Sequence, residues 1–268
     1  PGSDVANLSI FGYAPAKYYT GRAPLEAASI GVILGPTDIA FRCNLVTLAD
    51  KNGVIIMDDY SSGHITTEDA DGIIKSLDAA LKKEGVRFYT GTSYRHLMVW
   101  KDGPKNAQTT PPHDISDKEI TPHLPKGEET GKFAAIMKAS QELLKDHPVN
   151  KRRIASGKKP ATSIWLWGQG QAPSMPTFKD RFGVSGAIIS AVDLMKGIGI
   201  YAGLEVLKVP GVTGYIDTNY RGKAEYALAA LETHDFVCVH VEAPDEAGHN
   251  GNLKDKLQAI EDFDREVV

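Results

Sequence analysis

The 268-residue chain has only two cysteines, Cys43 and Cys238, and both sit in apolar, strand-like runs. The two read as small buried hydrophobes, which makes a reducing, cytoplasmic compartment the default. No uninterrupted apolar run approaches the ~18 residues of a membrane span, and no signal-peptide pattern opens the chain. Charge of one sign is also lacking: 30 Lys and Arg against 34 Asp and Glu leave a formal net charge of −4. This argues against nucleic acid or an anionic membrane surface as partner. No internal repeat is visible. What remains, at 42% hydrophobic and 24% charged residues, is the composition of a globular protein with one large core, or one core and an inserted lobe.

The richest stretch is Phe236 to Gly251. Phe236–Val241 has the length and β-branched content of a buried strand, and polarity then flips through Glu242, Pro244, Asp245, Glu246, Gly248 and His249. In α/β sheets, ligands bind beyond the carboxyl ends of strands. Asp245 and His249 are spaced so that a first helical turn puts both on one side, a carboxylate and an imidazole that make half of a transition-metal site. The same residues also suit an N-terminal cap and a solvated histidine.

Ahead of it, residues 160–268 alternate strand and helix: strands over 162–167, 187–192, 205–209 and 236–241, helices over 196–202, 219–231 and from 253 onward. The spacing predicts a parallel sheet covered by helices on both faces. Residues 39–101 read differently. A strand over 39–48, an Asn52-Gly53 hairpin into 54–57, a Thr66-capped helix reaching 84 and a strand pair over 86–89 and 95–101 predict a small α+β lobe. Arg42 and Asn44 interrupt the first strand as cleft-facing residues would. A long polar, Pro-rich loop (102–131) carries His113. A helix over 133–146 follows, and the basic run 147–160 reads as a solvated lobe boundary. Near the N-terminus, Gly2-Ser3-Asp4 puts a hydroxyl at a helix N-terminus, where an anion is favoured and where Ser3 would equally serve as a cap. The chain opens at Pro1 within what reads as a functional loop and stops at Val268 inside a helix, the pattern of a piece of a longer polypeptide.

Taken in order, Gly2-Ser-Asp-Val-Ala-Asn, Tyr18-Tyr-Thr-Gly-Arg-Ala-Pro-Leu-Glu-Ala, Ala40-Phe-Arg-Cys-Asn, Asp193-Leu-Met-Lys-Gly-Ile-Gly and Ala243-Pro-Asp-Glu-Ala-Gly-His resemble the archaeal-type cofactor-independent phosphoglycerate mutases of the alkaline phosphatase superfamily. The resemblance implies an α/β phosphatase-like domain with a mostly parallel sheet (residues 1–38 and 160–268, truncated at its C-terminus), interrupted by a substrate-binding α+β lobe (39–159). It also implies an isomerase that interconverts 3- and 2-phosphoglycerate through a phosphoserine on Ser3. Two divalent metal ions would assist, manganese first, with magnesium, cobalt or zinc as alternatives; Ser3, Asp245 and His249 match ligands. Arg22, Arg42, Arg95, His96 and His113, with Arg181 and Lys196 on the phosphatase side, are the candidate substrate contacts, because guanidinium groups grip carboxylates and phosphates by paired hydrogen bonds. Ala14 and Ala23 depart from the pattern, which has Asp and Gly there. The family's remaining metal ligands have no counterpart in the chain, so weak metal binding and no mutase turnover by the chain itself are expected. A related phosphomutase or phosphatase, or a non-catalytic phosphometabolite-binding relative, are the alternatives. A homo-oligomer is compatible with the sequence.

Overall fold

The computed structural model describes residues 2–82, 85–127 and 129–268. Pro1, the last two residues of the helix expected to reach 84, and Glu128 of the polar loop lie outside the described residues. In chain order the elements begin with helices α1 (Ser3–Ile10), α2 (Pro15–Tyr18) and α3 (Arg22–Ser29), then strands β1 (Asp38–Lys51) and β2 (Val54–Asp59). Helix α4 (Thr67–Leu81), strands β3 (Val86–Thr92) and β4 (Arg95–Lys101), and helices α5 (Thr130–Lys145) and α6 (Pro148–Ala155) come next. They are followed by β5 (Ser163–Gly170), α7 (Phe178–Phe182), β6 (Gly186–Ile189), α8 (Asp193–Tyr201) and β7 (Glu205–Val206). The last elements are α9 (Tyr220–Ala230), β8 (Phe236–Val239), α10 (Ala243–His249) and α11 (Leu253–Glu266). No helix among the described residues is long and apolar enough to cross a membrane.

Two compact units emerge. One comprises Thr20–Ala27 and Ile33–Ala172. Its sheet runs β2-β1-β4-β3 with β5 also on β1, and every pairing is antiparallel. The long strand β1 organises it because its alternate residues differ in kind. Phe41, Cys43 and Leu45 are fully buried in the core with Ile73, Leu77, Met98 and Phe133, while Arg42 and Asn44 project from the other side of the pleat. Thr66 caps α4, its side chain accepting from the Asp69 N–H. The strand expected over 162–167 as part of the parallel sheet proves to be β5 of this antiparallel sheet, in register with β1 from Ala40↔Gly170 to Val46↔Ser163. A continuous apolar run, Ser-Ile-Trp-Leu-Trp, does not reveal which sheet will take it.

The run 147–160 also departs from expectation. It forms α6, capped by His147, and Arg153 is buried rather than solvated. The Arg153 guanidinium donates to Asp69 Oδ2 (3.1 Å), Ser62 O (2.7 Å) and Lys159 O (3.0 Å). A buried charge survives when its donors are satisfied in this way.

The second unit comprises Pro1–Tyr19, Ala28–Val32 and Pro173–Val268. Its sheet is parallel, ordered β7-β6-β8, as the β-then-α alternation predicts. All four residues of central β6 are buried, and α8 and α9 pack on it. Parallel pairing makes the carboxyl ends of β6 and β8 coincide, where His240 N donates to Ile189 O (2.9 Å).

Candidate functional site

In the antiparallel unit, the side of β1 that carries Arg42 and Asn44 gathers cations over aromatic rings. Arg42 is 6% exposed, and its Nε donates to Glu26 Oε2 at 2.8 Å. The other oxygen of the same carboxylate takes Arg22 Nε at 3.0 Å, four residues back on α3. The Arg42 guanidinium lies 4.1 Å from the centre of the Trp167 ring, and Trp167 is its register partner on β5. The His113 ring stands edge-on to Trp167 at 5.3 Å; Tyr60 follows at 6.2 Å from His113, and Tyr94 at 5.6 Å from Tyr60. Arg95 covers Tyr94 at 5.4 Å. The ring row thus carries Arg42 at one end and Arg95 at the other. Burial lowers the Arg42 pKa, Glu26 opposes that, and Arg22 and Arg95 lower it further. Burial also lowers His113, against Asp114, with Arg42 and Arg22 adding to the fall. The Glu26 carboxylate is thus shared by Arg22 and Arg42, and burial first, with these two guanidinium groups adding to it, favours the neutral His113 ring, able to donate from one nitrogen and accept at the other.

Backbone contact sets Arg22 there. Gly21 has φ +141°, and a Cβ on it would lie 2.0 Å from Gln169 O; a Cβ on Gly170 would lie 2.3 Å from Thr20 O. Only glycine allows the loop before α3 to press directly on the end of β5. His96 does not join the cluster. Strand alternation turns it to the face opposite Arg95, where it pairs with Cys43, is 4% exposed, and accepts from Gly91 N at Nδ1 (3.1 Å). Burial drives its pKa down to about 3, so it is a neutral core residue rather than an anion contact. Glu26 and the ring row were missed in the sequence; the i,i+4 spacing of Arg22 and Glu26 is the one signal that pointed to the first.

In the parallel-sheet unit, Ser3 is exposed at the first position of α1, and Gly2, not Ser3, holds the capping position. The neighbouring Asp4 is buried and accepts from Tyr19 Oη and Val5 N. Asp245 and His249 lie on one face of α10 with Oδ2 and Nε2 3.3 Å apart, and their side chains are 64% and 76% exposed. Lys196 Nζ reaches Asp193 Oδ1 (3.2 Å), which also accepts from Ser29 Oγ (2.8 Å). Lys196, Ser29 and Ser190 edge a cavity of about 880 Å³ whose other walls are largely apolar. Arg181 stacks on Tyr13 (5.0 Å) and Phe182 (5.1 Å) from α7. Unforeseen in the sequence is a polar knot at the carboxyl ends of β6 and β8. His240 Nδ1 meets Ser190 Oγ (3.1 Å), His240 Nε2 meets Glu242 Oε2 (3.3 Å), and Lys223 Nζ donates to His240 O (3.0 Å).

As a donor set for a divalent ion, Asp245 and His249 supply one carboxylate oxygen and one imidazole nitrogen, the types that manganese or zinc accepts. Among the described residues no group of three or more His, Cys, Asp or Glu is placed to hold a metal. The pair fits such an ion as part of a coordination shell.

Residues 1–150 match the family model described as 2,3-bisphosphoglycerate-independent phosphoglycerate mutase. The whole chain is 58% identical, over 269 aligned residues, to the 2,3-bisphosphoglycerate-independent phosphoglycerate mutase of Methanosarcina acetivorans, and it covers 67% of that protein. The solved structure of a Pyrococcus horikoshii protein superposes with a TM-score of 0.76 at 29% identity, covering 99% of this chain and 62% of that one. The cofactor-independent phosphoglycerate mutase of Thermoplasma acidophilum superposes at 0.62 and 27%, covering 98% and 69%. The chain thus spans about two thirds of the length of such relatives. With the sequence matched from end to end and the fold shared, the chain belongs to the 2,3-bisphosphoglycerate-independent phosphoglycerate mutase family.

Proposed function

We propose that the chain serves the interconversion of 3-phosphoglycerate and 2-phosphoglycerate, with its antiparallel unit as the anion-binding lobe and Ser3 as the phosphate acceptor. The observation that carries this reading is the pair of guanidinium groups, Arg22 and Arg42, that share the one carboxylate of Glu26, with Arg95 a third cation at the far end of the ring row. A phosphoglycerate brings the negative charge that this cluster lacks. Arg42 and Arg22 each present nitrogens other than the Nε already given to Glu26, and a planar fork matches a carboxylate or phosphate through two parallel bonds. Neutral His113 donates to a substrate oxygen or accepts from a glycerate hydroxyl, which suits a ligand whose two hydroxyls must be told apart.

Ser3 is exposed at the start of α1, where the Val5 N–H of the same turn is already given to Asp4 Oδ1. The positive end of the helix dipole favours a phosphate on the Ser3 oxygen. Asp245 and His249 would hold a divalent ion, which supplies charge neutralisation and a lowered hydroxyl pKa when bound. With Oδ2 and Nε2 3.3 Å apart, the carboxylate oxygen and the ring nitrogen share one face of α10, as two ligands of one ion would.

The reading is tested by titrating 3-phosphoglycerate into the chain by calorimetry and looking for phosphoserine by mass spectrometry after incubation with manganese. Saturable binding that Arg42→Met abolishes and Ser3→Ala leaves intact supports the assignment of lobes. Binding untouched by Arg42→Met refutes it. Turnover by the chain alone is not expected, since the described residues bring together only part of a metal shell; a mass increment of one phosphate confined to the Ser3 peptide would identify the acceptor.

A further inference from the structure

Lys223 is an unusual choice for its place. It lies in the first turn of α9, on the stripe Tyr220, Lys223, Ala227, Ala230 that packs inward, and it is 0% exposed. Two physical terms oppose a cation there. Removing an ammonium from water is expensive, and the first turn of a helix already carries partial positive charge. The strain shows in the pKa, which burial pulls down to about 8 against the attraction of Glu242. A methionine or leucine would fill the same space at less cost.

What the ammonium touches gives the reason. Its donor goes to the carbonyl of His240, the residue that ends the β8 ladder by donating to Ile189 O. Val192 N donates to Ser190 Oγ (3.0 Å), the same hydroxyl meets His240 Nδ1 (3.1 Å), and His240 Nε2 meets Glu242 Oε2 (3.3 Å), so the ring is held on both sides. Glu242 in turn occupies the capping position of α10, and its carbonyl takes Asp245 N (2.9 Å) and Glu246 N (3.1 Å). A short chain of contacts therefore runs from Lys223 through His240 and Glu242 to the turn that bears Asp245 and His249.

We infer that Lys223 is a positioning residue: its ammonium pins the His240–Glu242 turn, so that α10 presents the Asp245 carboxylate and the His249 imidazole together. This rests on the reading of that pair as ligands, and the test separates the two. Lys223→Met and Lys223→Arg are compared with the unaltered chain by amide hydrogen exchange and by manganese broadening of the His249 ring signals in NMR. In Lys223→Met, exchange over residues 241–250 rises at least ten-fold while residues 186–201 stay within two-fold. The manganese concentration that broadens His249 rises at least ten-fold, and Lys223→Arg recovers part of both. Equal acceleration in the two segments means a merely structural lysine and overturns the inference, as does unchanged exchange at 241–250. If manganese fails to broaden His249 in the unaltered chain, the ligand reading of the pair falls, and the exchange comparison alone decides the role of Lys223.

Discussion

Replacing Glu26 by Gln removes the one carboxylate that bridges Arg22 and Arg42 and leaves the shape of the site nearly unchanged. Two opposite effects follow. The Arg42 side chain is 7% exposed, and loss of its charged partner destabilises the fold. Breaking a buried pair outright costs about 3–5 kcal/mol, and the glutamine oxygen still accepts a hydrogen bond, so about 2–3 kcal/mol is expected. For a bound anion the sign reverses. A phosphate or carboxylate seated on Arg22 and Arg42 lies roughly 6 Å from the Glu26 charge, which at an effective dielectric constant of about 20 repels it by up to about 3 kcal/mol. Allowing for salt screening, about 1–3 kcal/mol of repulsion is relieved, a roughly five- to hundred-fold gain in affinity. The assay is calorimetric titration of 3-phosphoglycerate with thermal melts in its presence and absence. Glu26→Gln should melt lower than the parent when free and gain more from the ligand. A variant that loses both stability and affinity would show that Glu26 aims the guanidinium groups rather than competing with the ligand, and would refute the charge-surplus reasoning.

Other outcomes follow from the same structure. His96 has its folded pKa at about 3 against an ordinary 6.5, so the unfolded chain takes up the proton first; its contribution is whole above pH 6.5 and is lost as pH falls toward 3. Urea unfolding at pH 7 and pH 5 should differ by about 2 kcal/mol from this group, a loss that His96→Gln removes; His113, His147 and His240 are shifted in the same direction. Gly21→Ala drives a methyl into Gln169 O at a backbone angle that side chains rarely adopt, so a loss of about 3 kcal/mol or more in urea unfolding and weakened 3-phosphoglycerate binding are expected together. Arg153→Met leaves Ser62 O and Lys159 O without their donor while Asp69 keeps Arg152 (2.6 Å), and thermal denaturation should report a loss of about 2–3 kcal/mol.

Legibility in the sequence followed the range of the forces involved. The hairpin at Asn52-Gly53, the Thr66 cap and the alternation that yields β6, β7 and β8 are local signals, and they appear where expected. Arg42 and Asn44 were recognisable because two polar residues at a spacing of two in an apolar strand must share a face. The placement of β5 was not readable, since strands buried on both sides look alike whichever sheet receives them. His96 misled because adjacency to Arg95 in sequence is opposition across a pleat. Lys223 gave no warning, because a lysine near a helix start is ordinarily solvated, and only its distant partner at the end of β8 turns it inward.

The row of rings beneath Arg42 and Arg95 has a consequence for how a ligand arrives. The chain as a whole is negative, so at distances beyond a Debye length it offers a small anion no attraction and even a slight rebuff. With the Arg42 cluster as the proposed anion site, recognition is decided at close range, where the buried Arg42 guanidinium lies over the Trp167 ring. Capture governed in that way should depend little on ionic strength in its rate and strongly on the compactness of the anion's charge, which favours a three-carbon acid phosphate over a larger polyanion of equal valence.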